Sequence, residues 1–549
     1  MSPAASSGWK DVAVCLSLAN LCYLDVWHRL QSREAAELDY FRKVPLSDAL
    51  LVTIGNVLLL GLALWMGMRL VRRSRSRSLL KAAQCVFFLV LTIPLSFAQT
   101  SLAPASVPAH RMAALAVTIG LALVTAVVLT GPVFVLVRGT PPISLHVART
   151  IVLLLAPLVP VLVLHSAWVA LRSPSAAAFA DRPLAPPLPD LPPTAPRVVW
   201  LVFDEMDERL AFLDRPQTLG LPELDRFRRQ AIHAVEAHPP ARWTLTSMPA
   251  LISGRLVADA EPRGVDDLTL GLVDGGGRVR WSQQPNVFAK ARAVGLNTAV
   301  VGWYHPYCRV LSASLTQCSW QAYASVMEEQ DSGGTRRDLA RSVWGQLTRT
   351  VGTALSVTRL GIAAAEERHR REGERERDHH RLTYLQIRER ALEAVTDPHL
   401  GLILVHWPIP HASWPHRHAA DRASPERQDE YVENLALSDR TLGELRAAME
   451  GAGLWERTVV LVSADHGLRN EEGWSLATRA PAMPAGTRPL PLVPFLLKLA
   501  GHDRPLEYAP AFNTVLTHDL LLALLRGDIS GHEEVLRWLD QNRTRFPVS

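Results

Sequence analysis

The chain has 549 residues, 48% of them hydrophobic, with 58 Lys and Arg against 53 Asp and Glu for a formal net charge of +5. That length exceeds one small domain, and the long apolar runs confined to its first third exclude an ordinary soluble protein. The basic residues are interspersed with acidic ones and no recognition motif accompanies them, which excludes a nucleic-acid partner.

Residues 12–27 form a short apolar run flanked by Asp11 and Asp25, readable as an interfacial helix or as a first membrane span. Lys10 is the only basic residue before it and no small-residue cleavage site is clear, so it does not read as a cleavable signal peptide. Residues 49–68, 79–97, 112–137 and 147–171 each reach the roughly 20 apolar residues that a spanning helix needs. Arg69, Arg72, Arg73, Arg75, Arg77 and Lys81 crowd the connection between the second and third runs and mark it as cytoplasmic. Alternation then predicts about five spans, with the N-terminus inside and everything after Leu171 outside. One loop strains this arrangement: Arg29, Arg33, Arg42 and Lys43 fall on the outer side after Trp27.

Residues 173–196 are rich in Pro and Ala and read as a semi-rigid spacer. The predicted organisation is a transmembrane domain over 1–172, this linker, and an extracytoplasmic domain over 197–549. In the outer domain short apolar runs at 198–203, 299–302, 400–406, 458–463 and 492–497 read as buried strands. Helices expected over 224–233, 287–294 and 430–449 alternate with them, the pattern of an α/β sandwich. The charge run 366–381 reads as a solvated helix, and the stretch before it, 339–365, suits either a membrane-surface helix or one packed on its own domain. Cys308 and Cys318 sit in the outer domain, where an oxidising compartment would permit a disulfide.

The chemistry gathers at strand ends. The first strand runs into Asp204-Glu205, and the late strand ends in Asp465-His466-Gly467, supplying oxygen and imidazole donors of the kind that hold zinc or manganese. Between them Thr244, Thr246 and Ser247 open a short apolar run that closes on Gly254, as a helix N-terminus holding an anion and a nucleophile would be written; ordinary capping hydroxyls would read the same way.

In this order Asp204, Thr244-x-x-Ser247-x-Pro249 closing on Ser253-Gly254-Arg255, and Ser463-x-Asp465-His466-Gly467 resemble the alkaline phosphatase superfamily. Within it they resemble the sulfatase-like group with the membrane-anchored phosphoethanolamine transferases and lipoteichoic acid synthases, which carry about five spans before an extracytoplasmic catalytic domain. The resemblance implies that Asp204, Thr244, Asp465 and His466 ligate one divalent ion, zinc first, with manganese, magnesium or calcium as alternatives. It makes Thr244 the nucleophile and leaves Thr246 a helix-stabilising or outer hydroxyl, with Glu205 either completing the metal shell or standing as an exposed carboxylate. His411, with His305 and His406, is implied to contact substrate; His416 and His418 read as exposed loop residues. Trp303 stands where sulfatases carry a lysine, and Thr244 cannot become formylglycine, which argues against sulfate ester hydrolysis by that route.

The expected function is therefore transfer of a phosphoryl-linked headgroup from a phospholipid or lipid-linked donor, through a phosphothreonine, to an envelope lipid or glycan outside the inner membrane. The alternatives are a hydrolase releasing product to water, whether phosphodiesterase, phosphatase or sulfatase, and a catalytically silent anion-binding membrane protein.

Overall fold

The computed structural model describes residues 5–31, 38–43, 45–74, 76–102, 135, 143–189, 195–323, 361–412, 425–468 and 491–548. The expected span at 112–137 lies outside the described residues except for residue 135, as do His416, His418 and residues 339–360. The chain divides into two units. One comprises Met1–Asp39, Val44–Ala176 and Glu328–Glu372; the other comprises Tyr40–Lys43, Ala177–Met327 and Gly373–Ser549.

The first unit is helical, with Ala5–Cys22, Leu24–Gln31, Leu46–Ser74, Arg77–Leu102, Ile143–Leu154 and Leu158–Arg172. Among the described residues two stretches, Ala49–Ser74 and Leu145–Arg172, are helical, long and apolar enough to cross a membrane. Residues 79–97 are helical as well, with Pro94 inside the helix, and residues 12–27 form two helices that break at Tyr23. Ala19, Tyr23, Leu50 and Val57 bury against one another in this unit. Asp11, from the first helix, is ion-paired with both Arg72 and Arg149, so the start of that helix, the end of the third and the start of the fifth meet at one end.

The second unit is built on an eight-stranded mixed sheet in the order β12-β2-β11-β10-β1-β9-β7-β8. Its members are β1 (Val198–Asp204), β2 (Ile232–Ala234), β7 (Asn297–Trp303), β8 (Gln317–Gln321), β9 (Leu400–Pro410), β10 (Val459–Ala464), β11 (Phe495–Lys498) and β12 (Leu506–Tyr508). Two small sheets flank it, β3 (Ala237–His238) with β13 (Phe512–Asn513), and β4 (Val257–Pro262), β5 (Leu268–Leu272) and β6 (Arg278–Arg280). β1, β7, β9 and β10 are buried along their whole length, which is why they read as continuous apolar runs. They run parallel, so their carboxyl ends share one edge of the sheet.

Two expectations need correction. The helix expected over 224–233 is confined to Pro222–Arg228, and Ile232–Ala234 pairs instead with β11 and β12, because the edge of the sheet satisfies its backbone. The charge run 366–381 is helical within Gly361–Thr396, but His380 is buried rather than solvated, packed against Trp303 and near His411.

Candidate active site

Register sets the site. Val202 and Phe203 of β1 pair with Ser463 and Ala464 of β10, so Asp204 and Asp465 emerge side by side at the carboxyl edge. Between Phe203 and Asp204 the register with β9 shifts, Phe203 facing Trp407 and Asp204 facing Pro410, so the extra residues bulge out of β9. Glu205 then adopts φ 65°, an αL conformation costly for a residue with a Cβ. Hydrogen bonds hold it there: its N–H donates to Asp465 Oδ1 at 3.2 Å, and its carbonyl accepts from the Tyr431 hydroxyl at 2.9 Å.

The helix Thr244–Ser253 supplies the hydroxyl. Trp243 precedes it in extended conformation, and the Trp243 carbonyl accepts from the Thr246 and Ser247 N–H groups at 2.9 and 2.8 Å. The Thr246 and Ser247 hydroxyls also donate to that carbonyl, at 3.1 and 2.9 Å, and are thereby spent on the first turn. Thr244 is the hydroxyl that faces the strand ends: its Oγ1 lies 3.4 Å from Asp204 Oδ1 and 3.3 Å from His466 Nε2. The helix closes on Gly254 at φ 72°, where a Cβ would come within 2.6 Å of His518 Nδ1.

Asp204, Asp465 and His466 are buried and bring one donor atom each to within 4.8 Å of one another, a group that could hold a metal ion. Their chemistry fits a divalent cation. His466 Nδ1 donates to the Gly467 carbonyl at 3.0 Å, which leaves the Nε2 lone pair turned towards Asp204 and Asp465, each 3.5 Å away. Asp465 Oδ2 is buried with no hydrogen-bond partner, as a carboxylate awaiting a cation would be. Burial pushes the Asp465 carboxyl up, and hydrogen bonds from Thr244 and the Glu205 N–H oppose it. Glu205 lies outside this trio; its Oε2 sits 3.7 Å from His411 Nε2.

The three histidines expected at the substrate are placed differently. His305 is fully buried, with Nε2 3.0 Å from the Thr244 carbonyl and Nδ1 2.9 Å from the Tyr40 hydroxyl, so the structure turns both nitrogens to the protein and none to a substrate. His406 is equally buried, and its Nδ1 meets the Tyr307 hydroxyl at 2.9 Å. Burial lowers His305 to about 3 and His406 and His380 each to about 4, so all three imidazoles are neutral. His411, at the end of β9, lies at the site: its N–H donates to the Asp204 carbonyl at 3.1 Å and its ring packs edge-on to Trp303. Cys308 and Cys318 are joined as a disulfide, tying the turn after β7 to β8. Sequence reasoning missed Tyr40 and His380, which carry no motif.

Residues 263–475 match the family model of type I phosphodiesterases and nucleotide pyrophosphatases, and with that match the alkaline phosphatase superfamily resemblance of the strand-end motifs stands. The matched family acts on phosphoric esters. Among solved structures the chain is similar to the phosphonate monoester hydrolase of Agrobacterium radiobacter, with TM-score 0.35, 12% identity, 60% of this chain and 74% of that one. It is similar to murine ectonucleotide pyrophosphatase/phosphodiesterase 5, with TM-score 0.36, 11% identity, 62% of this chain and 99% of that one. It is also similar to the lipoteichoic acid synthase LtaP from Listeria monocytogenes, with TM-score 0.35, 12% identity, 60% of this chain and 72% of that one. No curated protein matches the chain.

Proposed function

We propose that this chain, which carries a catalytic domain of the alkaline phosphatase superfamily, is a membrane-anchored phosphotransferase that moves a phosphoryl-linked headgroup from a lipid donor to an envelope lipid or glycan. The observation that carries the reading is the Thr244 hydroxyl, at the open end of its helix and within 3.4 Å of Asp204 and 3.3 Å of His466. A divalent ion, zinc by the mixed oxygen and nitrogen donor set, would be held by Asp204, Asp465, His466 and Thr244, where it would lower the hydroxyl pKa and neutralise charge on the transferred group. Thr244 Oγ1 attacks phosphorus in line; the new Oγ1–P bond forms as the P–O bond to the leaving group breaks, and the proton given up by the threonine hydroxyl ends on the leaving oxygen, which departs as an alcohol. The N–H groups of Thr244 and Leu245, which open the helix, would face the phosphoryl oxygens and stabilise their charge. An acceptor hydroxyl then attacks the same phosphorus and releases Thr244. His411, backed by Glu205, borders the group being transferred.

The topology of this reading places the second unit outside the inner membrane. Arg42 and Lys43, which conflict with a positive-inside count, belong to that unit and are held by it, so they report on the fold of the outer domain rather than on orientation. Asp11, Arg72 and Arg149 meet at one end of three helices, as alternating spans require.

A second reading keeps the nucleophile and gives the intermediate to water, and the match to phosphodiesterases favours it. Full-length protein in vesicles, fed a phospholipid with a labelled headgroup and a range of lipid acceptors, separates the two. Label on an acceptor and on Thr244 supports the transferase; label only in water supports the hydrolase; wild-type turnover by Thr244→Ala sinks both.

A further inference from the structure

We propose that the four residues Tyr40–Lys43 are a working part of the catalytic unit, and that Tyr40 is a positioning residue which sets the nucleophile through His305. The chain on either side, to Asp39 and from Val44, belongs to the helical unit, so it enters the catalytic unit for these residues alone before returning. What it delivers is a fully buried tyrosine in the main core of that unit.

The hydrogen-bond chain has one consistent direction. The Thr244 carbonyl can only accept, so the His305 nitrogen 3.0 Å from it, Nε2, carries the proton. A neutral ring then presents Nδ1 as an acceptor, and the Tyr40 hydroxyl 2.9 Å away donates to it. Tyr40 thus selects the His305 tautomer, and His305 holds the carbonyl of the residue whose hydroxyl faces the donor cluster. The carbonyl and hydroxyl of Thr244 share one short side chain and backbone unit. A tilt of that peptide swings Oγ1 away from the line of attack, and small misplacements of this kind cost rate steeply.

Everything around Tyr40 fixes it. Phe41 packs edge-on against Tyr304, with ring centroids 5.0 Å apart. Arg309 donates to the Arg42 carbonyl and, at 2.6 Å, to the Val265 carbonyl. Lys43 donates to the Trp320 carbonyl at 2.7 Å and to Gln321 Oε1 at 3.0 Å, with its ammonium 5.1 Å from the Trp320 ring centroid. The Cys308–Cys318 disulfide ties together the two elements that make these contacts. Four consecutive residues, each held separately, are more than a solvated loop between two helices requires.

This inference rests on Thr244 as nucleophile, and the test keeps the two apart. The full-length chain is assayed on bis(4-nitrophenyl) phosphate as wild type, Tyr40→Phe, His305→Gln, the double variant and Thr244→Ala, with metal content measured for each. Tyr40→Phe keeps the ring and loses only the hydroxyl. Its kcat is expected to fall roughly tenfold with KM within about twofold of wild type and metal content unchanged. The double variant is expected to be no slower than His305→Gln alone, because Tyr40 acts through that ring. An unchanged kcat in Tyr40→Phe, or losses that multiply in the double variant, overturns the inference while an inactive Thr244→Ala leaves the nucleophile standing. Full activity in Thr244→Ala overturns both. Nitrogen-15 shifts of His305 in the wild-type chain give an answer that does not depend on any variant folding: a protonated Nε2 with an accepting Nδ1 is expected, and the opposite tautomer overturns the proposal.

Discussion

Thr244 Oγ1 lies 3.3 Å from His466 Nε2, across 222 residues of sequence. The helix Thr244–Ser253 and the end of β10 create that approach together, and neither does so alone. Removing the hydroxyl, along with its neighbouring methyl, in Thr244→Ala is expected to lower kcat on a phosphodiester by about a thousandfold or more, since the other first-turn hydroxyls are already bonded to the Trp243 carbonyl. Thr244→Ser keeps the oxygen and should retain a measurable fraction of the rate. Steady-state kinetics on both variants checks this.

Asp204, Asp465 and His466 form one donor group, so the loss of any one should be felt in metal content first. Asp465→Asn is expected to weaken the bound ion by about 100-fold or more, beyond what the loss of an outer partner typically costs. Elemental analysis after dialysis reads this directly. Chelator treatment of the wild type should abolish turnover and lower the melting temperature, and both should return on adding zinc.

Three buried imidazoles set an acid limit on stability. Burial lowers His380 from the ordinary 6.5 to about 4, and His406 and His305 are lowered likewise. Unfolding lets each take up a proton that the folded chain refuses, so their contribution is present above pH 6.5 and lost as pH falls from there towards 4. Each group should cost about 1.4 kcal/mol of stability per pH unit within that window. Melting temperature recorded from pH 7 to 4.5 should fall accordingly, and His380→Gln should flatten the fall.

Gly254 ends the nucleophile helix at φ 72° against the His518 ring. Gly254→Ala adds both backbone strain and a clash, and is expected to destabilise the catalytic unit by about 1–3 kcal/mol. Thermal unfolding measures it. Activity per folded molecule should fall as well, because the last turn repacks under the helix that carries Thr244.

The strand ends were legible because buried parallel strands are unbroken apolar runs, and a carboxylate or imidazole placed directly after one stands out. Asp204, Asp465, His466 and Thr244 could be gathered that way, and the structure brings them together. The extent of the helix over 224–233 was not legible, since Ile232-His-Ala takes its backbone partners from β11 and β12, far along the chain. His380 was hidden in a run of charges whose other face is solvated, and only its packing on Trp303 distinguishes it. His305 was legible as a site residue, but which way it faces depends on Tyr40, a lone tyrosine beside charged residues with no pattern to mark it.

The Tyr40–His305 hydrogen bond spans 265 positions of sequence. A ribosome therefore makes the tyrosine long before it makes β7 and the histidine that follows it. Until then Tyr40–Lys43 have no Arg309, Trp320 or His305 to dock on. The last steps of maturation must bring an early segment and a late one together, so this protein can finish its active centre only after nearly the whole polypeptide exists. Enzyme made without Tyr40–Lys43 would begin life with a tyrosine-sized hole behind its nucleophile.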